Sequence, residues 1–140
     1  MARVLVVGCG CRGRELGSEL ASAGHFVRGT SRTSEGAALV EGAGIEGVIA
    51  DPLRLGTVLP ALAGVTVVVW LFGRVDSPEL HGSRLSALLE KLVDSGVRGF
   101  VYEDGPGAHL VRDAGERWRM PVAVAPSDGL PAAVESVLSK

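Results

Sequence analysis

Three glycines near the start of the chain have a spacing that suits the chemistry of phosphate binding. Gly8, Gly10 and Gly13 form the pattern Gly-x-Gly-x-x-Gly between an apolar run, 4–7, and a predicted helix, 14–23. In such a turn the first glycine permits a tight bend, the second admits a pyrophosphate to the backbone, and the third lets the helix pack on the strand. The amide groups of a helix N-terminus attract anions. The pattern therefore predicts a dinucleotide site.

Two hydroxyls and a cation follow the second predicted strand, 26–30. An NAD site usually has an acidic residue about 20 residues after the glycine pattern, bonded to the ribose 2′-hydroxyl. Thr30, Ser31 and Arg32 occupy that place here, and the next carboxylate is Glu35. Ser31 can donate a hydrogen bond to a 2′-phosphate, and Arg32 can offer it a charged fork. The sequence therefore favours NADP over NAD, with an exposed loop cation as the alternative interpretation of Arg32.

Residues 4–32 resemble the N-terminal part of atypical or extended short-chain dehydrogenase/reductase proteins, the epimerase-like NAD(P)-binding group. The resemblance is specific over residues 3–52 and looser to about residue 105, and it is carried by Gly-Cys-Gly-Cys-Arg-Gly, Gly24-His25 and Gly29-Thr30-Ser31-Arg32. It implies that Asp51, at the end of the third predicted strand, lies beside an adenine. The alternative is that Asp51 forms a turn before Pro52.

The same resemblance implies a catalytic Tyr-x-x-x-Lys pair, which this chain does not have. Its one tyrosine is Tyr102, and the residue four positions later is Pro106. Because Tyr102 lies within a predicted strand, we interpret it as a core or interface ring. The substrate domain that follows the cofactor domain in the family is also missing from these 140 residues. The sequence thus identifies no catalytic residue.

Four side chains in or beside the glycine turn have alternative interpretations. Arg12 and Arg14 flank Gly13 and are candidates for contacts with phosphate oxygens, or they are helix-surface arginines. Cys9 and Cys11 are too close in sequence for an unstrained disulfide, and no histidine lies near them to complete a zinc site. We interpret both as small residues tolerated in a tight turn, with a low-pKa thiol at the helix N-terminus as the alternative. No metal site is predicted.

Other acid–base candidates are two histidines and two adjacent carboxylates. His81 and His109 lie early in predicted helices, where surface or capping roles are expected. Glu103 and Asp104 end the fifth predicted strand, at the edge where sites of this fold lie. Because a Gly-Pro-Gly sequence follows them, we interpret both carboxylates as solvated turn residues.

Apolar runs alternate with helical patterns along the whole chain. Strands are predicted at 4–7, 26–30, 47–50, 65–72, 99–103 and 122–125. Helices are predicted at 14–23, 37–41, 55–62, 77–95 and 108–118, with a last helix opened by Ser127, Asp128 and Pro131. Residues 65–72 are apolar without alternation, as expected for a strand covered on both faces. The pattern predicts an α/β doubly wound Rossmann fold with a six-stranded parallel sheet of order 3-2-1-4-5-6.

A ligand of such a sheet lies beyond the carboxyl ends of its strands. The nicotinamide half is expected to pass the end of the fourth predicted strand. The predicted cofactor-binding residues are Gly8, Gly10, Cys11, Arg12, Gly13, Thr30, Ser31, Arg32, Asp51, Pro52, Leu71, Phe72 and Gly73.

Length and charge limit the remaining interpretations. The chain has 140 residues and a formal net charge of −2, which favours a single cofactor domain over residues 1–140 and gives no basic footprint for nucleic acid. No apolar run approaches the ~20 residues that span a bilayer, and no signal peptide is recognised, so a cytoplasmic location is expected.

Two hypotheses follow: an NADP(H)-dependent oxidoreductase that transfers hydride to a small substrate, or a non-catalytic sensor or subunit. A homodimer or another protein partner is left open. A site for a different adenylate, such as coenzyme A, is disfavoured by the intact glycine pattern.

Overall fold

The computed structural model describes residues 2–140, in which six strands form one parallel sheet. The strands are β1 (Arg3–Val7), β2 (Phe26–Ser31), β3 (Glu46–Ile49), β4 (Val67–Trp70), β5 (Gly99–Glu103) and β6 (Val122–Ala125). Their order is β3-β2-β1-β4-β5-β6, and every neighbouring pair is parallel. The predicted doubly wound Rossmann fold is therefore confirmed. The order reverses between β1 and β4, which is where such sheets open a crevice at their carboxyl edge.

The helices cover both faces of the sheet. They are α1 (Cys11–Ser22), α2 (Ser34–Gly42), α3 (Leu55–Val58), α4 (Ser83–Val93), α5 (Ala108–Trp118) and α6 (Leu130–Leu138). The short α3 continues as a 3₁₀ turn at Leu59–Leu62, and a second 3₁₀ turn at Ser127–Gly129 leads into α6. No helix within residues 2–140 is both long enough and apolar enough to cross a membrane.

Alternation along the central strands divides the core into two layers. Val4 and Val6 of β1 pack with residues of α1 and α6 on one face. Leu5 and Val7 of the same strand pack with α4 and α5 on the other. All of β4 is buried, because helices cover both of its faces. This two-sided burial confirms the interpretation of the apolar run that contains β4.

The helix predicted over residues 77–95 is shorter than expected. α4 begins at Ser83, so the predicted start at Ser77 is wrong. The preceding residues are held by distant partners: the indole Nε1–H of Trp70 donates to the carbonyl of Leu80 at 2.8 Å, and His81 bonds Tyr102. Gly82 then has φ −133° and ψ −102°, outside the helical region. Tertiary hydrogen bonds thus replace the first one and a half turns of the predicted helix.

Candidate functional site

The glycine turn after β1 is fixed by backbone geometry. Gly8 has φ +89°, and a Cβ built on it would lie 2.7 Å from a ring carbon of Phe72. The Gly8 amide donates to the Thr30 hydroxyl at 3.1 Å, and the Cys9 amide donates to the Thr30 carbonyl at 2.9 Å. Thr30, at the end of β2, is buried. Its role in the structure is therefore to hold the turn against the neighbouring strand.

The two other glycines of the pattern differ in what surrounds them. A Cβ on Gly13 would lie 3.2 Å from Cys9 Sγ and from Leu71, so a larger residue would push α1 away from the sheet. A Cβ on Gly10 would meet no atom within 4 Å. Gly10 also precedes a helix that has no side-chain cap and no acidic residue in its first turn. The first amides of α1 therefore adjoin open space, an arrangement that fits a phosphate group.

A cavity of about 380 Å³ opens at the carboxyl ends of β1, β2 and β3. It is lined by eight of the predicted residues, namely Gly8, Gly10, Thr30, Ser31, Arg32, Asp51, Pro52 and Phe72. Val75, Ser77 and Leu80 close one side of it. The structure therefore brings the glycine turn and the ends of three strands together around one space. Cys11, Arg12, Gly13, Leu71 and Gly73 lie outside its lining.

Arg32 is a cation that lines this cavity at the end of β2. Its side chain is exposed, and it makes no ion pair with any carboxylate in residues 2–140. Ser31 is more constrained, since its hydroxyl accepts a 3.4 Å hydrogen bond from the Thr33 amide just before α2. The Thr33 hydroxyl caps α2 by accepting from the Gly36 amide at 3.0 Å. Arg32 is thus available to an anion in the cavity.

Asp51 organises the turn between β3 and α3. Its Oδ1 accepts from the Leu53 amide at 3.0 Å, and its own amide donates to the Thr57 hydroxyl at 2.7 Å. Pro52 follows it and is buried. The turn-forming interpretation of Asp51 is therefore confirmed. The second interpretation, contact with an adenine, stays a prediction that its position in the cavity lining permits.

The ends of β4, β5 and β6 are joined by one buried carboxylate. Glu103, 2 % exposed, accepts from the Arg12 guanidinium, from the Ser127 hydroxyl and, at 2.6 Å, from the Gly73 amide. A second guanidinium nitrogen of Arg12 lies 3.0 Å from Glu103, and Arg12 also reaches the Ser127 hydroxyl at 2.8 Å. The interpretation of Glu103 as a solvated turn residue is wrong. The Arg12 side chain is committed to this carboxylate instead of extending over the glycine turn.

Hydrogen bonds decide the charge of Glu103. Burial raises the pKa of its carboxyl, but the donors on Arg12, Ser127 and Gly73 outweigh burial and hold that pKa below its ordinary value. Glu103 is therefore an ionised acceptor and not a proton donor at neutral pH. The available sequence signal was a carboxylate that ends the otherwise apolar strand β5.

A second buried network lies beside the first. Tyr102 is fully buried, and its hydroxyl lies 2.6 Å from His81 Nδ1 and accepts from the Gly107 amide at 2.8 Å. His81 Nε2 lies 3.0 Å from the Val75 carbonyl, which can only accept. Nε2 therefore carries the ring hydrogen, and the Tyr102 hydroxyl donates to Nδ1.

Burial and this network settle the roles of Tyr102 and His81, and exposure settles that of His109. The interpretation of Tyr102 as a core ring is confirmed, and burial raises its pKa. The expectation of a surface or capping role for His81 is wrong, because it is only 6 % exposed. His109 is exposed, as expected. The proton of Tyr102 is held inside the protein, away from the cavity.

The two cysteines of the turn are in different surroundings. Cys9 is buried, and its Sγ is the neighbour that a Cβ on Gly13 or Gly29 would meet. Burial raises the pKa of the Cys9 thiol to about 11, against a smaller lowering by Arg14. Cys9 is therefore a packing residue, and the low-pKa alternative fails for it. Cys11 is exposed at the start of α1. Residues 2–140 contain no group of three or more His, Cys, Asp or Glu side chains placed to hold a metal.

Solved structures resemble the chain, whereas no protein-family model and no curated protein sequence matches it. A protein of Bacillus halodurans, whose proposed identity is an NAD-dependent epimerase/dehydratase, has a TM-score of 0.75 and 22 % identity over 90 % of this chain. Vestitone reductase from alfalfa has a TM-score of 0.70 and 16 % identity over 89 % of the chain. Triphenylmethane reductase of a Citrobacter species, complexed with NADP(H), has a TM-score of 0.68 and 20 % identity over 87 %.

These proteins are longer than the chain. It spans 70 % of the Bacillus protein, 56 % of vestitone reductase and 48 % of triphenylmethane reductase. At such identities the likeness concerns the fold. The chain therefore shares its Rossmann fold with these two reductases and with the protein of Bacillus halodurans, in agreement with the resemblance of residues 4–32.

Proposed function

We propose that the chain binds NADP(H) at the carboxyl edge of its sheet, with residues 1–140 acting as one cofactor domain. One observation carries the proposal: an exposed arginine without a carboxylate partner, Arg32, borders the same cavity as the uncapped N-terminus of α1. The two positions suit the two anionic groups of NADP(H), the pyrophosphate and the adenosine 2′-phosphate. The fold shared with a reductase complexed with NADP(H) supports the same assignment.

The proposed contacts follow the strand ends in order. The pyrophosphate lies at Gly8, Gly10 and Gly13, where the backbone amides of Cys11 and Arg12 begin α1. Thr30 holds the turn, while Ser31 and Arg32 bind the 2′-phosphate. Asp51 and Pro52 border the adenine. Leu71, Phe72 and Gly73 stand at the end of β4, towards the nicotinamide half.

A bound nicotinamide supplies hydride chemistry, and a protein that uses it must position a substrate and exclude water. In an oxidoreductase of this fold, loops 73–82 and 104–110 would supply those contacts. A non-catalytic sensor or subunit is the second candidate. It is favoured by one observation, that the hydroxyl of Tyr102 is buried and bonded to His81 and Gly107. The cytoplasmic location and a dimer or protein partner stay predictions.

The cofactor assignment is tested by Arg32→Ala. Loss of the guanidinium should weaken NADPH binding about tenfold and leave NADH binding unchanged, because only NADPH carries the 2′-phosphate. Calorimetric titration of both cofactors measures this. Arg112→Ala, which removes an exposed arginine of α5, is the matched control and should affect neither cofactor. Equal losses for NADPH and NADH in Arg32→Ala would contradict the role of Arg32.

A turnover assay distinguishes the oxidoreductase from the non-catalytic sensor or subunit. NADPH oxidation in the presence of a panel of carbonyl substrates would establish an oxidoreductase. Tight NADPH binding without turnover, together with a stable oligomer or complex in light scattering, would establish the non-catalytic role.

A further inference from the structure

The two halves of the sheet present different surfaces at the carboxyl edge. A dinucleotide-binding sheet consists of two mononucleotide-binding halves, and the ligand crosses between them where the strand order reverses. Here β1, β2 and β3 form the half that would hold the adenosine. The half formed by β4, β5 and β6 would hold the nicotinamide nucleotide. The cavity of about 380 Å³ is lined mainly by the first half, and Phe72, Val75, Ser77 and Leu80, which follow β4, form its far side.

The hydrogen-bond donors of the second half are already used within the protein. The Gly73 amide after β4, the Ser127 hydroxyl after β6 and the Arg12 guanidinium of α1 all donate to Glu103 at the end of β5. A Cβ on Gly73 would lie 2.6 Å from the Glu103 side chain, so no space remains between the ends of β4 and β5. The groups that would receive a second nucleotide are therefore bonded to one another.

Two cavities lie near the cluster formed by Glu103 and its donors Arg12, Gly73 and Ser127. The first-half cavity reaches Phe72 and Val75, but its lining excludes Gly73, Glu103, Ser127 and Arg12. A separate cavity of about 420 Å³ lies beyond Arg12, and its lining holds three carboxylates, Glu15, Glu19 and Asp128, beside two arginines, Arg12 and Arg74. Three carboxylates against two cations give this space no net positive charge to attract a phosphate. The Arg12–Glu103 pair thus lies outside the lining of the first cavity, and Arg12 borders the second.

We infer that the Arg12–Glu103 ion pair is a specificity device that closes the nicotinamide half, so that the chain recognises only the adenosine 2′-phosphate and pyrophosphate part of its ligand. This rests on the proposed function and narrows it: the ligand class is any nucleotide with that part, whatever follows the pyrophosphate. The nicotinamide, oxidised or reduced, then contributes nothing to affinity. Such a chain measures the total NADP(H) pool and not its redox state.

The wild-type chain provides the first test, by calorimetric titration with 2′-phospho-ADP-ribose, NADP⁺ and NADPH. Removal of the nicotinamide should leave the dissociation constant unchanged within about threefold, because the closed half makes no contact with it. NADP⁺ or NADPH binding more than about tenfold tighter than 2′-phospho-ADP-ribose would overturn the inference and leave the proposed function standing. Binding of none of the three would overturn the proposed function itself.

A variant that opens the second half provides the second test. Arg12→Ala combined with Glu103→Gln removes both the bridging side chain and the buried charge, so the variant does not strand an unpaired carboxylate. We expect its preference for NADPH over 2′-phospho-ADP-ribose to rise about tenfold above that of the wild type. Arg14→Ala removes the other first-turn arginine, which has no contact with Glu103, and should leave the preference unchanged. An unchanged preference in the double variant, with its circular dichroism and unfolding transition intact, would overturn the inference.

Discussion

The two halves of the carboxyl edge differ in the destination of their hydrogen-bond donors. In the first half the turn is held by the bonds of Gly8 and Cys9 to Thr30, and the helix amides and Arg32 stay available. In the second half Arg12, Gly73 and Ser127 all donate to Glu103, so these three donors are not available to a ligand. The comparison shows that one sheet topology supports an open and a closed half side by side.

The means of stabilisation differ in the same way. Backbone conformation and packing hold the first half, and its turn contains no buried charge. An ionised carboxylate with charge-assisted bonds holds the second half, so that half depends on pH. Substitutions in the two halves should therefore have different effects on stability and binding, and three of them test this difference.

The largest effect is expected from Gly8→Ala. An alanine at φ +89° is strained, and its Cβ would lie 2.7 Å from the Phe72 ring, so we expect a loss of about 3 kcal/mol in the free energy of unfolding. Urea denaturation measures it. Gly24→Ala is the matched control, since Gly24 has φ +97° with no atom within 4 Å, and it should cost only about 1 kcal/mol. Equal losses would show that the close approach to Phe72 adds nothing to the cost of the positive φ.

Glu103→Gln should cost about 2 kcal/mol at pH 7, because charge-assisted hydrogen bonds become neutral ones. The hydrogen bonds that hold the pKa of Glu103 below its ordinary value stabilise the ionised, folded form. This contribution is fully present above the unfolded-state pKa and is lost as the pH falls through the lower folded-state pKa.

The difference between wild type and Glu103→Gln should therefore be constant near neutrality and shrink below about pH 4. Unfolding curves across this range measure it. Glu15→Gln, at an exposed position of α1, is the control and should show no such convergence. A difference that does not change down to about pH 2 would exclude a role for the Glu103 charge.

Gly10→Ala should have the smallest effect on stability and a clear effect on binding. Its Cβ meets no protein atom within 4 Å, and its φ of −85° is open to any residue, so we expect less than about 1 kcal/mol of destabilisation. The same Cβ would occupy the place of a pyrophosphate, and NADPH affinity should fall at least about tenfold. Unchanged NADPH affinity would place the pyrophosphate elsewhere.

The fold was accessible from sequence because its signals are local and repeated. Residues 108–118 and 122–125 were predicted as the helix and strand that the structure contains, since their periodicities are those of a helix and a strand. The helix predicted from Ser77 failed, although Ser77 and Pro78 form a good local start signal. Bonds from Trp70 to Leu80 and from His81 to Tyr102 oppose that signal, and they join residues 10 and 21 positions apart.

The candidate site likewise has features that local sequence signals specify and features that depend on tertiary contacts. By itself the sequence determined the glycine turn, the parallel sheet and the placing of Arg32 at the end of β2, because chain-local conformational preferences and hydrophobic periodicity specify all three. Only the tertiary structure decided that Arg12 binds Glu103 across 91 positions and that His81 accepts a hydrogen bond from the Tyr102 hydroxyl. Such pairs depend on which strand ends the sheet order brings together, and their charges are stable only where burial and several donors coincide.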